Sequence, residues 1–466
     1  MASEDNFVVA IEIGSTKVTA IAGRKQPDDA LLVLACVQEP SVDFVRRGRI
    51  NNIMKMKAAL TSIKEKLERT LKKSVSQAYV GIGGMGMYSV KNSVPKTFTV
   101  KTEVSREVID EIEKDNAASM SDEHKILGTI IQEYRLGAQV TQEPVGMIAE
   151  RVEGRFLNII TRSEVVSNIQ NCMDNAYLGI AGLPVSTLAL ADRMVPASER
   201  HSGCVFVDMG AETTSVAIFK NNVLRHLAVL PLGGRNITRD ITSLSLDEAE
   251  AERLKIDFGC AVSENPDEVR NPIVTDSGRH INFDDFSSLV EARQEEIIKN
   301  VRHQIELSGY KRSELVGGII LTGGAANMRG IQKAFQRITD IETVRVVKSV
   351  DTTLRTATAL GSGFNKDGSC NMAIALLEQG KENCCGGSLS SGKDIFERNA
   401  QKEAQRKAAE EAAAEAQRKA EEEAAEAQRK AEEEAAARAA RRSAFWGKVK
   451  DWMTRIVSDN ETTNND

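Results

Sequence analysis

The sequence predicts an α/β fold of two lobes with an inserted subdomain, followed by a linker, a long charged helix and a C-terminal amphipathic helix. Apolar strand-like runs alternate with helical patterns, and the β-rich opening at residues 7–22 is repeated from residue 205 onward. Such alternation is typical of layered α/β domains, and a repeated opening indicates two lobes of similar construction. Near residue 366 the composition changes abruptly, first to glycine and serine and then to alanine and charged residues.

Length, charge and cysteine usage narrow the class of protein. A chain of 466 residues is long enough for about two to four domains. The formal net charge of −6 argues against nucleic-acid binding. The seven cysteines show no CxxC or Cys/His spacing, which argues against a disulfide framework and a zinc site. No apolar signal segment follows Met1 and no run of about 18 apolar residues occurs. We therefore expect a cytosolic protein whose membrane contact is peripheral.

The order of these patterns predicts the domain boundaries. Residues between the two lobe openings have strands of their own and an acidic helix around 105–119, which indicates an insertion. The predicted segments are lobe 1 core (7–85 and 163–200), inserted subdomain (86–162), lobe 2 core (201–235 and 310–365), small subdomain of lobe 2 (236–309), flexible linker (366–394), Ala/Glu/Arg/Lys-rich helix (395–442), amphipathic helix (443–458) and disordered tail (459–466).

Two hairpins have the composition of phosphate-binding loops. In the first, an apolar strand ends in Gly14-Ser15-Thr16, and Lys17 follows. Successive backbone amides, hydroxyls and an ammonium group in such a turn can hold phosphate oxygens. The alternative is a purely structural turn, and a single Gly-Ser-Thr hairpin more often has only this structural role.

The second hairpin, at 205–219, repeats the same order of an apolar strand, an acid, a glycine, hydroxyl residues and an apolar strand. Asp208 ends the first strand, and Gly210, Thr213 and Thr214 follow. A carboxylate at this place suits Mg²⁺, which keeps its own waters and takes one or two protein carboxylates. One such hairpin in each lobe predicts a cleft in which both grip the phosphates of one nucleotide.

Two further segments are weaker signals on their own. A β-run at 317–322 ends in Gly323-Gly324, where small residues would let a nucleoside lie against the backbone. Glu252 and Lys255 place a carboxylate and an ammonium group one helical turn apart, and a solvated ion pair is the ordinary alternative.

The segment 395–442 contains AQRKA three times among alanine and glutamate. Glu-to-Lys pairs four residues apart stabilise a helix by about 0.2–0.5 kcal/mol each, and alanine has the highest helix propensity. These features favour a single solvated helix that acts as a spacer. A coiled coil is the competing interpretation, but it needs large apolar residues at its seam.

Residues 443–457 predict an amphipathic helix that lies in a membrane surface. At about 100° per residue, one face collects apolar side chains and lysines flank it. The alternative, docking on the protein's own core, is disfavoured because a charged spacer separates this segment from the lobes. The predicted membrane-binding residues are Phe445, Trp446, Lys448, Val449, Lys450, Trp452, Met453 and Ile456.

In this order and spacing, the hairpins together with PLGGRNITRDI (231–241), AERLKIDFG (251–259) and LTGGAANMRG (321–330) resemble the actin/hexokinase/DnaK ATPase superfamily. The insertion and the C-terminal tail narrow the resemblance to the FtsA family of bacterial cell-division actin homologues. The resemblance covers residues 7 to about 365 and implies an actin-like fold that binds ATP and Mg²⁺. The nucleotide-binding residues that it implies are Gly14, Ser15, Thr16, Lys17, Asp208, Gly210, Thr213, Thr214, Gly233, Glu252, Lys255, Gly323, Gly324 and Asn327.

Several positions depart from the pattern of that family. Glu12 stands where the first loop usually has Asp, and with Asp208 it is the expected holder of Mg²⁺ through water. Ala211 and Glu212 replace two glycines of the second loop, and Glu212 is expected to place a negative charge near phosphate. The segment around Leu183 is apolar where related ATPases carry a water-orienting Glu or Gln. We therefore expect weak or no ATPase activity.

The resemblance implies a filament-forming adaptor on the cytoplasmic side of the inner membrane at the division site. Its partners would be FtsZ, anionic lipids, further copies of itself and later divisome proteins. The C-terminal peptide of FtsZ would dock on 236–309, where Arg293 is the candidate contact and an ordinary solvated arginine is the alternative. Two other functions remain open, a small-molecule kinase of the same superfamily and a rod-shape or pilus-assembly actin relative.

Overall fold

The computed structural model describes residues 6–26, 28, 30–262, 271–276, 278–348, 354–356 and 368–388. All of them fall within one unit, Met1–Leu389. The predicted charged helix (395–442), amphipathic helix (443–458) and tail (459–466) lie outside the described residues. Among the residues described, no helix is both long and apolar enough to cross a membrane.

The elements are numbered along the chain. The strands are β1 (Val8–Ile13), β2 (Lys17–Lys25), β3 (Leu31–Pro40), β4 (Val45–Arg46), β5 (Arg49–Ile50), β6 (Lys73–Val75), β7 (Gln77–Val80), β8 (Tyr88–Glu103), β9 (His124–Leu136), β10 (Gln139–Thr141), β11 (Ile148–Arg162), β12 (Gly179–Gly182), β13 (Cys204–Met209), β14 (Thr214–Lys220), β15 (Val223–Leu230), β16 (Ile273–Val274), β17 (His280–Ile281), β18 (Gly318–Thr322), β19 (Val344–Val346), β20 (Leu354–Thr356) and β21 (Cys385–Ser388). The helices are α1 (Ile53–Leu71), α2 (Arg106–Ala118), α3 (Ser163–Asn175), α4 (Ser186–Met194), α5 (Ala197–Ser202), α6 (Gly234–Thr242), α7 (Glu248–Phe258), α8 (Phe283–Ser308), α9 (Ile331–Thr339) and α10 (Asn371–Gln379).

The first lobe is built on a six-stranded sheet in the order β12-β7-β1-β2-β3-β20. Strands β1, β2 and β3 form an antiparallel meander, and β7 runs parallel to β1. Helix α1 packs on this sheet and buries Met56, Leu60, Ile63 and Leu67, which recur at helical spacing on one face. The side chain of Asn52 begins the helix by accepting a hydrogen bond from the amide of Lys55.

The second lobe repeats the topology of the first. Strands β13, β14 and β15 form an antiparallel meander, and β18 runs parallel to β13 as β7 does to β1. Helices α6, α7 and α8 pack beside this sheet and share its core, to which they contribute Ile237, Leu254 and Phe286. The two-lobed α/β fold predicted from the repeated opening is therefore confirmed.

The inserted subdomain consists of β8 to β11 and α2, with Tyr134 and Phe156 in edge-to-face contact at its core. Its strands continue the sheet of the second lobe, because Tyr88 of β8 pairs with Ala228 of β15. The combined sheet has nine strands in the order β10-β9-β11-β8-β15-β14-β13-β18-β19. In the sequence, the insertion lies between two segments of the first lobe. In the structure, its strands are hydrogen-bonded to the sheet of the second lobe.

The prediction of a flexible linker at 366–394 is wrong for its described part. Helix α10 buries Ala373 to Leu377 against the first lobe, and the buried Cys384 and Cys385 follow it. The Cys384 amide donates to the carbonyl of Phe7 at 2.7 Å, which ties the segment to the first strand. Strand β20, assigned above to the second lobe, joins the first lobe beside β3. The chain therefore returns to the first lobe because its apolar MAIALL run packs there.

Candidate functional site

A cavity of about 820 Å³ lies between the lobes, and the predicted nucleotide-binding residues converge on it. The expected residues that line it are Glu12, Gly14, Ser15, Thr16, Lys17, Asp208, Gly210, Thr213, Glu252, Lys255, Gly323, Gly324 and Asn327. Segments that lie more than three hundred positions apart in the chain thus meet at one place. Gly233 and Thr214 are not among the described residues that line the cavity.

The first hairpin (loop 1, residues 14–17) is stabilised by hydrogen bonds within the hairpin and by polar contacts with Ser41 and Gly48. The Gly14 amide donates to the carbonyl of Lys17 at 3.1 Å, which closes the turn between β1 and β2. The Ser41 hydroxyl donates to the carbonyl of Gly14 at 2.6 Å. The Ser15 hydroxyl accepts a hydrogen bond from the amide of Gly48 at 3.0 Å. The loop is thereby fixed before any ligand arrives.

The second hairpin (loop 2, residues 210–213) has the same turn and an additional support. The Gly210 amide donates to the carbonyl of Thr213 at 2.8 Å, as Gly14 does in loop 1. The first turn of α6 then bonds to the loop, because the amides of Gly234 and Arg235 donate to the carbonyls of Gly210 and Ala211 at 3.0 and 2.7 Å. The position of loop 2 is therefore tied to the N-terminus of this helix.

Gly233 and Thr214 support the site without lining the cavity. The Thr214 hydroxyl is buried and donates to the carbonyl of Leu232 at 2.8 Å. The Gly233 amide donates to Oδ1 of Asn236 at 3.0 Å, which caps α6. Both residues stabilise the join between loop 2 and the helix that follows β15.

Gly323 requires the conformation and the small size of glycine. Its backbone φ of 91° lies in a region that residues other than glycine rarely adopt. A Cβ there would lie 2.6 Å from Oδ1 of Asp208 and 2.4 Å from the carbonyl of Met209. The turn after β18 can therefore pass directly beside the acid at the end of β13.

Two carboxyl groups, those of Glu12 from the first lobe and Asp208 from the second, line the cavity. Burial, reinforced by the negative charge of Asp208 and opposed by Lys17, raises the pKa of Glu12 to about 8. Burial raises the pKa of Asp208 to about 6. Oε2 of Glu12 is buried and has no hydrogen-bond partner in the described part of the chain. Two close carboxyl groups with an unsatisfied oxygen make a donor set that fits a hard cation such as Mg²⁺.

The described residues contain no cluster of three or more metal-binding side chains. A protein that supplies only two carboxylates suits Mg²⁺ better than Zn²⁺ or Ca²⁺, because Mg²⁺ retains waters and takes phosphate oxygens as ligands. The residues present therefore fit a magnesium ion.

Glu252 and Lys255 form the expected pair on α7. The Lys255 ammonium lies 2.7 Å from Oε2 of Glu252, and it also donates to the Thr238 hydroxyl at 3.0 Å and to the Gly234 carbonyl at 3.1 Å. The lysine side chain is 12% exposed and that of Glu252 is 46% exposed. Lys255 is thus held against α6, whereas the glutamate is open to a ligand or to solvent.

Glu212 does not lie where the sequence predicted. Its side chain is buried and is not among the described residues that line the cavity. Its carboxylate instead accepts a hydrogen bond from the amide of Arg47 at 2.6 Å and lies 3.2 Å from the guanidinium of Arg239. The carboxylate expected near phosphate therefore does not enter the cavity, because these cationic and amide partners hold it outside.

Sequence reasoning missed a glycine-rich segment and the end of the described chain. Gly81, Gly83 and Gly84, which follow β7 in the sequence, line the cavity. Gly48 and Asn371 line it as well. The run GIGGMG at 81–86 was a usable signal, because closely spaced glycines after a strand indicate a close backbone approach. No local pattern marks Asn371, which reaches the cavity only through the return of α10 to the first lobe.

The candidate partner residue Arg293 lies on α8 in an ion pair. Its Nε and Nη2 donate to the two carboxylate oxygens of Asp240 at 2.5 and 3.1 Å, and Nη1 contacts Glu296. Its side chain is 27% exposed. The guanidinium thus fastens α8 to α6 and presents only part of its surface to solvent.

The chain matches two family models. The model described as cell division protein FtsA matches residues 205–361, and that of the SHS2 domain inserted in FtsA matches residues 84–160. The FtsA protein of Neisseria meningitidis is 29% identical over 73% of this chain and 84% of its own length. That of Porphyromonas gingivalis is 28% identical over 72% of each chain, and that of Escherichia coli K12 is 25% identical over 84% of this chain and 95% of its own.

A solved structure of a pilus biogenesis complex has a similar fold. The PilM-PilN type IV pilus biogenesis complex superposes with a TM-score of 0.56 at 14% identity, covering 79% of this chain and 97% of the matched chain. At this identity the likeness concerns the fold alone.

Proposed function

Because the chain belongs to the FtsA family of cell-division proteins, we propose that it is an ATP-binding, actin-like protein that polymerises and tethers FtsZ filaments to the membrane. In this proposal the body binds nucleotide and the FtsZ peptide, and the C-terminal helix binds the cytoplasmic face of the inner membrane at the division site. The filament would also recruit later divisome proteins.

Nucleotide binding is supported by one observation above all. Two hairpins of the same topology, one in each lobe, line the same cavity with glycine backbone and with hydroxyl side chains. We assign the phosphates to the amides of loops 1 and 2 and to the hydroxyls of Ser15, Thr16 and Thr213. Lys17 adds a positive charge, and the 323–327 turn with Glu252 and Lys255 would hold the adenosine.

Glu12 and Asp208 are the residues that would hold Mg²⁺ through its waters. The ion, when bound, neutralises charge on the phosphate oxygens. Lys17 partly balances the two carboxyl groups in its absence, since its positive charge lowers the pKa of Glu12 against the effect of burial. We retain the expectation of weak or no ATP hydrolysis, so the nucleotide would serve mainly to hold the lobes in the form that polymerises.

Isothermal titration with ATP and excess Mg²⁺ tests the nucleotide proposal. We expect one site per chain in the wild-type protein and a loss of affinity of about 100-fold in Asp208→Asn, because a residue that holds a metal complex typically contributes 10- to 100-fold or more. Asp240→Asn is the matched control, since it removes a carboxylate from an ion pair outside the cavity. Absence of any ATP uptake by the wild-type protein would refute the proposal.

The FtsZ peptide is assigned to the small subdomain at 236–309. Arg293 forms an ion pair with Asp240 there. A second surface, at the end of α8, is therefore also a candidate site for the peptide. It is a groove of about 410 Å³ lined by Lys311 and by Arg302 and Arg312, which pair with Glu306 and Asp340. The Lys311 ammonium is the cation there that would suit an acidic peptide. Fluorescence anisotropy with the labelled peptide would compare Arg293→Ala with Lys311→Ala. Unchanged affinity in both variants would place the contact elsewhere.

Membrane attachment is assigned to residues 443–458 on the sequence pattern alone. Sedimentation with anionic vesicles tests it, and Trp452→Glu should reduce the bound fraction strongly because it charges the apolar face. Thr454→Glu is the control, since it adds the same charge at a position roughly 160° around the helix from Trp452. Equal loss in both variants would argue against an oriented interfacial helix.

A further inference from the structure

The hairpin of β4 and β5 (residues 45–50) contacts both phosphate loops through its two turn residues. Arg47 and Gly48 both have positive φ, 51° and 71°, as a two-residue turn of this kind requires. In this conformation the Arg47 amide donates to Oε2 of Glu212 in loop 2 at 2.6 Å. The next amide, of Gly48, donates to the Ser15 hydroxyl in loop 1 at 3.0 Å. One rigid turn in the first lobe thus bonds to a loop of each lobe.

The Glu212 carboxylate is buried and is surrounded by three arginine side chains. The residue is 4% exposed, and its Oε1 lies 3.2, 3.7 and 3.9 Å from guanidinium nitrogens of Arg239, Arg46 and Arg235. Arg46 belongs to the first lobe, whereas the other two arginines belong to α6 of the second. Arg46 and Arg239 are 45% and 47% exposed, so solvent screens their attraction to the carboxylate. The 2.6 Å bond from the Arg47 amide to the buried carboxylate is the closest contact in this link between the lobes.

The turn itself is braced on its far side. A Cβ at Gly48 would lie 2.6 Å from Cα of Gly84, so the turn packs directly on the glycine-rich segment 81–86. The Arg49 side chain donates from Nε to the carbonyl of Met85 at 2.6 Å. Because these contacts restrain the turn, the turn in turn restrains the Glu212 carboxylate and the Ser15 hydroxyl, to which it is hydrogen-bonded. Since the Ser15 hydroxyl already accepts a bond from Gly48, its hydrogen is available for an anion in the cavity.

We propose that Glu212 is a positioning residue that couples the phosphate grip of loop 2 to the first lobe, and that it thereby controls nucleotide exchange. The proposal rests on the proposed function, because the exchange that it regulates is that of the bound nucleotide. With Glu212 in place, loops 1 and 2 keep a fixed separation and the cleft stays closed. Without it, the lobes separate more readily, and nucleotide enters and leaves faster.

Hydrogen exchange in the nucleotide-free protein tests the link directly. The Arg47 amide should exchange slowly in the wild-type protein and at least tenfold faster in Glu212→Ala, whereas the β1–β2 amides stay protected. Glu212→Gln retains an oxygen that can accept the bond but loses the ion pairs, so it should give an intermediate rate and remains informative if Glu212→Ala does not fold. Wild-type protection of Arg47 in both variants would overturn the proposal.

Stopped-flow measurements with a fluorescent ATP analogue and Mg²⁺ test the consequence. We expect both the association and the dissociation rate constants to rise about tenfold in Glu212→Ala, and to stay unchanged in the Asp240→Asn control. A purely electrostatic role would instead slow dissociation, because three arginines would be left uncompensated beside loop 2 and would attract the anionic nucleotide, and that result would overturn the proposal. Failure of the wild-type protein to bind the analogue would refute nucleotide binding, while the exchange rate of Arg47 would still decide whether the link exists.

Discussion

Loops 1 and 2 are similar in backbone and different in charge. Each follows an apolar strand, places an acid two residues before its first glycine, and closes with a hydrogen bond from that glycine to the residue three positions later. The acid is Glu12 in the first lobe and Asp208 in the second. The pKa of Glu12 is raised to about 8 and that of Asp208 to about 6. Near neutral pH the first lobe therefore contributes a mainly neutral carboxyl group and the second a mainly charged one.

This difference indicates that duplication of a hairpin does not duplicate its role. In the free protein, loop 2 supplies the negative charge that attracts a cation, and loop 1 supplies a group that must lose a proton to do the same. The two loops also differ in support, because loop 2 is bonded to the N-terminus of α6 and loop 1 to Ser41 and Gly48. Substitutions at equivalent positions should therefore have unequal effects.

The largest expected effect is that of Asp208→Asn. Loss of the charged carboxylate should weaken Mg²⁺-dependent ATP binding by about 100-fold, while binding measured with EDTA changes little. Titration calorimetry with and without Mg²⁺ measures both. Equal loss under the two conditions would mean that Asp208 acts on the loop rather than on the metal.

The pH dependence of stability should differ between the wild-type protein and Glu12→Gln. The pKa of Glu12 is raised in the folded state from 4.5 to about 8, so between these values the folded protein binds more protons than the unfolded one. Stability of the nucleotide-free protein should then fall as pH rises through this window, by roughly 2–4 kcal/mol between pH 5.5 and 8.5. Urea unfolding at pH 5.5 and 8.5 measures it. Glu12→Gln should show a flatter profile, and an equal slope in the two proteins would contradict the assignment.

Glu12→Gln should affect nucleotide binding less than Asp208→Asn at neutral pH. Glutamine resembles the protonated carboxyl group that prevails in the free protein, so we expect a loss of tenfold or less at pH 7. The loss should grow at pH 8.5, where the wild-type group is ionised and can hold the cation. A loss at pH 7 that matches Asp208→Asn would remove the distinction between the two loops.

The smallest expected effects separate the neighbouring Thr213 and Thr214. Thr213→Val removes a hydroxyl that lines the cavity and should weaken ATP binding about threefold with little change in stability. Thr214→Val removes the buried bond to Leu232 and should lower stability by about 1 kcal/mol, with little change in affinity. Paired calorimetry and thermal unfolding distinguish them. The opposite assignment would show that the loop is rotated relative to the structure.

Local patterns were sufficient to predict both hairpins and the two-lobed fold. Glycine and hydroxyl residues after apolar strands mark a turn, and their repetition marks a second lobe. The direction of Glu212 could not be predicted, because it depends on Arg46 and Arg47, which lie more than 160 residues earlier in the chain. Likewise, the segment at 366–394 was interpreted as a linker from its glycine and serine content, whereas its apolar run of six residues packs on the first lobe.

The other misassignments have the same physical origin. Strand β20 is three residues long and joins the first lobe only through its pairing with β3, a contact that local sequence does not encode. The predictions for residues 395–466 rest on helical periodicity and composition, and they stay predictions.

The central claim is that one nucleotide is held by both hairpins at once. Hydrogen exchange with and without ATP and Mg²⁺ tests it most directly. The account predicts that nucleotide slows exchange of the loop amides at 15–17 and at 211–213 together and at the same ATP concentration. Protection of one loop alone, or of the two at different concentrations, would contradict it.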